Sequence, residues 1–177
     1  MPRGTRVRPT ADRVREALFD ILGTSVCGAR VLDAYAGSGA LGFEALSRGA
    51  REAVFLESDR GAWITLRANA ATLRVGERCT ILRGRSAELI RREALRGPFE
   101  LVLADPPYAT DEAVIFLPLA AGLLAPEGRI VLERESRHAL VLAAGSGLEH
   151  YRTARYGRCC LDFFRPAPAP PDPPRGS

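Results

Sequence analysis

Lysine is absent from this chain of 177 residues, so all 25 basic side chains are arginines. Codon bias accounts for such a composition, but it also makes every cationic contact a guanidinium, a group suited to phosphate. Against 21 acidic residues the arginines leave a net charge of +4, a mild excess that permits a polyanionic partner without demanding one. Aromatic residues make up only 7%, and no apolar run reaches the roughly eighteen residues a bilayer span needs, so no membrane association is expected. The opening MPRGTRVRPT has basic residues but no apolar segment behind them, so no secretory leader is visible and a cytoplasmic location is expected. Cys27, Cys79, Cys159 and Cys160 follow no C-x-x-C or Cys/His spacing, which excludes a zinc ribbon or a disulfide scaffold. They are expected to be buried free thiols, with the adjacent pair on opposite faces of a strand, and no metal site is expected.

What remains is 46% hydrophobic and 26% charged, a composition that fits one soluble globular domain with a sizeable core. Val14, Ala17, Leu18, Ile21 and Leu22 recur at helical spacing and predict an amphipathic helix over Arg13–Leu22, with Pro9 and Thr10 as its start signal. Short apolar strands then alternate with helical stretches, the strands being Arg30–Ala34, Ala53–Glu57, Cys79–Leu82, Leu101–Ala104 and Arg129–Glu133. Such alternation implies parallel pairing with crossover helices on both faces of the sheet. Tyr151–Arg155 and Cys159–Phe164 flank Gly157 at hairpin distance and should close one edge as an antiparallel pair. The fold class is therefore α/β, a mixed, mostly parallel sheet of about seven strands. Asp111–Leu124 reads as helical, but Pro118 inside it suggests two short helices. Residues 1–165 are expected to form the single domain, with 1–12 as an N-terminal arm, and the proline-rich 166–177 a disordered tail. No internal repeat is evident.

VLDAYAGSGALGFEAL joins a strand to a helix through Gly37-Ser38-Gly39-Ala40-Leu41-Gly42, a G-x-G-x-x-G pattern in its required context. Glu57 ends the next strand, 20 residues after Gly37, where its carboxylate can accept both hydroxyl hydrogens of an adenosine ribose. Together they point to an adenosine-containing cofactor, whereas the glycines alone could mean only a tight strand–helix turn. Asp33, just before the loop, would repel a pyrophosphate but suits the ammonium of a methionine moiety, which favours S-adenosylmethionine and methyl transfer over hydride transfer. Ser58 and Asp59 follow Glu57, and Asp59 could cap the next helix.

At the end of the fourth strand, LVLADPPYAT sets a carboxylate, two prolines and an aromatic at the carboxyl edge of the sheet, where open α/β folds bind ligands. An exocyclic amino nitrogen on a base is a poor nucleophile because its lone pair is delocalised into the ring. Hydrogen bonds from its N–H groups to Asp105 and the Pro106 carbonyl would pyramidalise it. Pro106 and Pro107 fix the spacing of those acceptors, and Tyr108 offers a face for stacking a flipped base. An ordinary rigid turn is the alternative meaning of an isolated Asp-Pro-Pro-Tyr.

Taken in order, RPTADRVREALFDIL, LDAYAGSGALGFEALSRGA, FLESD and LVLADPPY resemble the class I S-adenosylmethionine-dependent methyltransferases with a DPPY motif, and more narrowly the RsmD-type ribosomal RNA guanine-N2 methyltransferases. The likeness runs from Arg8 to Arg165. It implies a Rossmann-like domain, S-adenosylmethionine as cofactor, and a guanine of small-subunit ribosomal RNA as substrate, either in the small subunit or its precursor. Thr10, Asp33, Tyr35, Gly37, Gly39 and Glu57 would bind cofactor, with Arg8-Pro9-Thr10 across its pocket. Asp105, Pro106, Pro107 and Tyr108 would form the catalytic turn. Members of the family usually carry a basic β-hairpin before the R-P-T run, where seven residues stand here, so Arg3, Arg6 and Arg8 are the residues expected at the RNA phosphates. Related enzymes commonly place Asp or Asn against the adenine amino group, whereas this chain has Arg85 and Ser86. The Ser86 hydroxyl or backbone groups would have to serve there.

His138 and His150 lie outside the sheet-edge constellation, and no histidine mechanism is expected. Arg91, Arg92 and Arg96 could face RNA, although a solvated helix face is the commoner meaning of such a run. Competing readings are adenine-N6 methylation of DNA, which ordinarily needs an added recognition region; protein glutamine methylation, which Asp105 weighs against; a nicotinamide-dependent oxidoreductase; and a non-catalytic RNA-binding module. The protein is expected to be a monomer.

Overall fold

The computed structural model describes residues 9–93, 95–107, 112–138, 140, 142 and 145–168. The expected arginines Arg3, Arg6 and Arg8, the side chain of Thr10, Tyr108 and the tail beyond 168 lie outside the described residues.

Among the described residues five α-helices and seven strands follow in order: α1 (Pro9–Leu22), β1 (Arg30–Asp33), α2 (Ala40–Ser47), β2 (Glu52–Glu57), α3 (Arg60–Thr72), β3 (Cys79–Arg83), α4 (Ser86–Arg91), β4 (Phe99–Ala104), α5 (Glu112–Ala121), β5 (Leu124–Glu135), β6 (Leu148–Tyr156) and β7 (Cys159–Pro166). One sheet holds all seven strands in the order β3-β2-β1-β4-β5-β7-β6. The first five pair in parallel, while β7 runs antiparallel to both β5 and β6, as the hairpin pattern around Gly157 predicts. β1 sits where the strand order reverses, with β2 on one side and β4 on the other. That switch point opens a crevice at the carboxyl ends of β1 and β4.

Alternation along the strands feeds two cores. Val31, Phe55, Leu103, Val131, Leu161 and Phe163 face α1, α2 and α3, whereas Leu32, Leu56, Val102, Ile130, Leu132 and Phe164 face α4 and α5. On α1, the buried Val14, Leu18 and Leu22 lie one turn apart, the spacing an amphipathic helix needs to cover a sheet.

Several sequence expectations are corrected. α1 covers Pro9–Leu22 and so includes the four residues before the expected Arg13, with Pro9 and Thr10 inside the helix. α5 is one helix with Pro118 inside it, not two, and Leu124 belongs to the next strand. Pro118 is on the exposed side of α5, so the missing N–H and the ring crowding fall toward solvent rather than into the core. β5 reaches back to Leu124, past the expected Arg129, because a register shift between Phe99 and Leu101 absorbs Pro126 and Gly128. At that point a Cβ on Gly128 would stand 2.8 Å from the Phe99 carbonyl oxygen. Of the four cysteines only Cys160 is fully buried: Cys27 is exposed, in the turn before β1, and Cys79 and Cys159 are half-buried.

Candidate active site

β1 ends at Asp33 and the chain turns through Gly37 and Gly39 into α2. Both glycines are left-handed, with φ of +54° and +87°, a region costly to residues bearing a Cβ. Their surroundings differ. A Cβ on Gly39 would fall 2.4 Å from Leu66 Cδ1 and from the Phe43 ring, so packing alone demands glycine there. A Cβ on Gly37 would meet nothing within 4 Å. Gly37 thus leaves an open approach over the turn.

Two carboxylates hold this turn. Glu57, at the end of β2, accepts the Gly37 N–H at Oε2 (2.7 Å) and the Asp59 N–H at Oε1 (2.6 Å), which leaves each oxygen further acceptor capacity toward the crevice. Asp33 Oδ2 accepts the Gly42 N–H at 2.8 Å from beneath the turn. With only 1% of its surface exposed, Asp33 supports the turn from inside the protein. Burial pushes its carboxyl up to about 7, the Gly42 hydrogen bond opposes that rise, and the negative charges of Asp105 and Glu57 add to it. Asp59 caps α3 as expected, accepting the Ala62 N–H at 2.8 Å. From the same helix, Asn69 donates to the Ser38 carbonyl at 2.9 Å. Asn69 is the chain's only asparagine, and no motif around it points to this contact.

Beside the turn lies a cavity of about 330 Å³ lined by Tyr35, Leu56, Glu57, Ser58, Arg85, Ser86, Pro107 and Glu112. It brings together the acidic end of β2, the β3–α4 turn and the diproline turn, and its apolar walls suit an adenine ring. Ser86 Oγ donates its proton to the Ala34 carbonyl at 2.5 Å, so toward a ligand this hydroxyl can act only as an acceptor. Tyr35 packs edge-on against Phe116 with ring centroids 5.4 Å apart. Its hydroxyl is pushed upward by burial and by the Glu112 carboxylate, to which it is hydrogen-bonded, and so stays protonated. Arg85 pairs with Glu112 at 3.0 Å, joining the start of α4 to the start of α5 across the cavity mouth. Neither charge was singled out as a pair, because the two lie 27 residues apart in sequence. The open face of Gly37, the ribose-type acceptor at Glu57 and this cavity fit an adenosine-containing cofactor.

Asp105, Pro106 and Pro107 follow β4 directly, with Pro106 buried and Asp105 and Pro107 exposed. In the β4–β5 register Ala104 lies opposite Leu132, so Asp105, just past the end of β4, comes level with Glu133, which is still within β5. Cys159, at the start of β7, donates its S–H to Glu133 Oε1 at 3.3 Å. Burial raises the Cys159 thiol, and the charges of Glu133 and Asp105 raise it further, so it remains a protonated donor. Asp105 and Glu133 therefore stand on adjacent strands at the carboxyl edge, while Asp33 lies two residues lower on β1, level with Leu103, and buried.

The other candidates are dispersed. Arg91 lines a small cavity beside Glu112, whereas Arg96 precedes β4 at the opposite edge of the sheet, and its carbonyl accepts from Arg30. His150 Nε2 sits 3.2 Å from Asp162 Oδ1 and 3.1 Å from Thr153 Oγ1, so both neighbours share one ring nitrogen and no relay through the ring exists. Among the described residues no group of three or more His, Cys, Asp or Glu could hold a metal ion.

The family profile described as conserved hypothetical protein 95 matches residues 1–165. The chain is 34% identical to the protein YlbH of Bacillus subtilis over 165 residues, covering 92% of this chain and 89% of that one. It is 39% identical to the ribosomal RNA small subunit methyltransferase D of Escherichia coli over 142 residues, 79% of this chain and 70% of that one. The solved structure of the Escherichia coli protein yhhF superposes with a TM-score of 0.77 at 33% identity, over 90% of this chain and 87% of that chain. With a Rossmann-like sheet, a glycine turn bound to the acidic end of β2 and a diproline turn at the switch point, the chain belongs to the conserved hypothetical protein 95 family, that of the RsmD-type methyltransferases.

Proposed function

We propose that this protein transfers a methyl group from S-adenosylmethionine to the exocyclic N2 of a guanine in small-subunit ribosomal RNA, acting in the cytoplasm on the subunit or its precursor. Methylation of ribosomal RNA is supported by the named relatives; the choice of guanine rests on Asp105 and Glu133. Guanine presents N1–H and N2–H donors side by side, and Asp105 and Glu133 offer two acceptors at the neck of adjacent strands. Adenine presents an acceptor at N1, which would face a carboxylate and be repelled.

When bound, the cofactor supplies an electrophilic methyl carbon on a sulfonium that departs as a neutral thioether. Glu57 holds the ribose hydroxyls, and the glycine turn lets the chain approach closely at Gly37. Asp105 and the Pro106 carbonyl accept the two N–H hydrogens of the amino group and turn its lone pair out of the ring plane. That lone pair would take the methyl carbon, the electrons of the C–S bond would stay with sulfur, and the surplus proton on nitrogen would pass to solvent. Tyr108 is the stacking residue of this proposal.

The test is incubation with labelled S-adenosylmethionine and separate pools of naked ribosomal RNA, assembled small subunits and DNA, followed by identification of the modified nucleoside by mass. N2-methylguanine in small-subunit RNA is expected, lost in Asp105→Ala with cofactor affinity little changed. Label found only as N6-methyladenine in DNA overturns the assignment.

A further inference from the structure

Arg85 and Glu112 both line the cavity of about 330 Å³ beside the glycine turn, and they offer a ligand opposite chemistry. A guanidinium only donates hydrogen bonds, whereas a carboxylate only accepts them. Glu112 is the first residue of α5, where an acid gains from the helix dipole, and a pair with Arg85 would complete an ordinary surface contact. Two observations make it more than that. The Glu112 side chain is 27% exposed against 66% for Arg85, so the carboxylate is the more enclosed member of the pair. The Tyr35 hydroxyl, from the turn after β1, is hydrogen-bonded to it as well. Held by two partners, this carboxylate has a fixed place, and its remaining lone pairs are open to a ligand.

The other side chains of the lining are poorly placed for that part. Leu56 and Pro107 are apolar, and the Ser86 hydroxyl is buried on the Ala34 carbonyl. Both oxygens of Glu57 already accept backbone N–H groups, at Gly37 and Asp59. Glu112 is therefore the one charged acceptor of the lining that is not committed to the glycine turn. Adenine and hypoxanthine have the same shape, but adenine carries an exocyclic amino group, a donor, where hypoxanthine carries a carbonyl oxygen, an acceptor. A fixed carboxylate attracts the first and repels the second. A few convergent polar groups in an otherwise apolar pocket are what sets the orientation and identity of a ligand.

We infer that Glu112, held by Arg85 and Tyr35, accepts a hydrogen bond from the exocyclic amino group of the cofactor's adenine, and so makes the pocket reject hypoxanthine in its place. Arg85 is a positioning residue in this arrangement. The inference rests on the reading of the protein as dependent on S-adenosylmethionine, but it concerns recognition of the base and not methyl transfer.

The test is calorimetric titration with S-adenosylhomocysteine and S-inosylhomocysteine, whose bases are adenine and hypoxanthine. Wild type should bind the adenosyl ligand at least about tenfold more tightly, the scale set by one hydrogen bond to a charged group. Glu112→Gln presents an amide that can turn either its oxygen or its nitrogen to the ligand, and should bring the ratio to within about threefold of one. Arg85→Gln frees the carboxylate without removing it, and should lower the ratio by less. Glu57→Gln and Ser86→Ala should change the affinity for both ligands alike and keep the wild-type ratio. Circular dichroism of each variant reports that it is folded, and the wild-type ratio needs no variant to be read. A wild-type ratio near one overturns the inference, as does a wild-type ratio kept in Glu112→Gln or one lost in Ser86→Ala. Each of those results leaves the cofactor reading standing. Folded wild type that binds neither ligand overturns the reading of the protein as dependent on S-adenosylmethionine, and the inference with it.

Discussion

The Gly37 N–H donates to Glu57 Oε2 across 2.7 Å, so the residue that opens the glycine turn is fastened to the carboxylate that ends the neighbouring strand. One contact thereby sets both the path of the turn and the position of the proposed ribose acceptor. Glu57 also accepts the Asp59 N–H, so its geometry is fixed before a ligand arrives. Glu57→Gln exchanges one acceptor oxygen for a donor that would face a backbone N–H. It should weaken S-adenosylmethionine binding at least about tenfold, the loss of one to two kcal/mol expected when a charge-assisted hydrogen bond is removed, as measured by calorimetric titration.

The two left-handed glycines should separate in their response to alanine. Gly39→Ala forces a Cβ against Leu66 and Phe43 in a packed core and should cost about 3 kcal/mol of unfolding free energy or more, by denaturant melts. Gly37→Ala meets open space and bears only the left-handed backbone penalty, about 1 to 2 kcal/mol. Its larger effect should fall on cofactor affinity, because the added methyl occupies the approach over the turn.

Much of this was legible in the residues. Strand β1 and the glycine run give a strand–turn–helix unit because each step is local: a buried apolar strand, a left-handed turn, a helix. The C-terminal hairpin was legible for the same reason. What escaped depends on contacts distant in sequence. Nothing in LERES places Glu133 beside Asp105; the β4–β5 register does. The length of β5 was hidden because Pro126 and Gly128 read as strand breakers, and a bulge against Phe99 accommodates them. That Asp33 also accepts the Gly42 N–H from beneath the turn requires knowing that α2 folds back over it. Residue type predicts that Cys27 is buried, but the turn before β1 leaves it exposed.

Asp33 should give the protein a pH signature. Its folded pKa stands near 7 against an ordinary 3.8, so between these values the folded state holds a proton that the unfolded chain has released. The stability contributed by this group therefore falls as pH rises from about 4 to about 7 and levels off above, where the buried carboxylate is fully charged. Asp33→Asn should flatten that slope in melts of the cofactor-free protein. If the deprotonated carboxylate favours the positively charged methionine end, S-adenosylmethionine affinity in the wild type should rise from about pH 6 to about 8, and this rise should vanish in the variant.

Asp162 tests the far side of the sheet, where function is not expected to follow. Its side chain is fully buried; Arg134 Nε donates to Oδ2 at 2.5 Å and Thr153 Oγ1 donates to Oδ1 at 2.5 Å. The same Arg134 reaches the carbonyls of Glu135 and His138, so one carboxylate ties β5, β6, β7 and the turn after β5 together. Asp162→Ala strands a guanidinium that is only 16% exposed and should cost about 3 to 5 kcal/mol of unfolding free energy. Asp162→Asn keeps the shape and one acceptor oxygen and should cost less. At temperatures where both variants remain folded, S-adenosylmethionine affinity should match the wild type, because the glycine turn and Glu57 sit on β1 and β2, beyond β4 and β5 from this network. A cofactor Kd that falls or rises with the loss of Asp162 would show that the two halves of the sheet are coupled through the crevice at their centre.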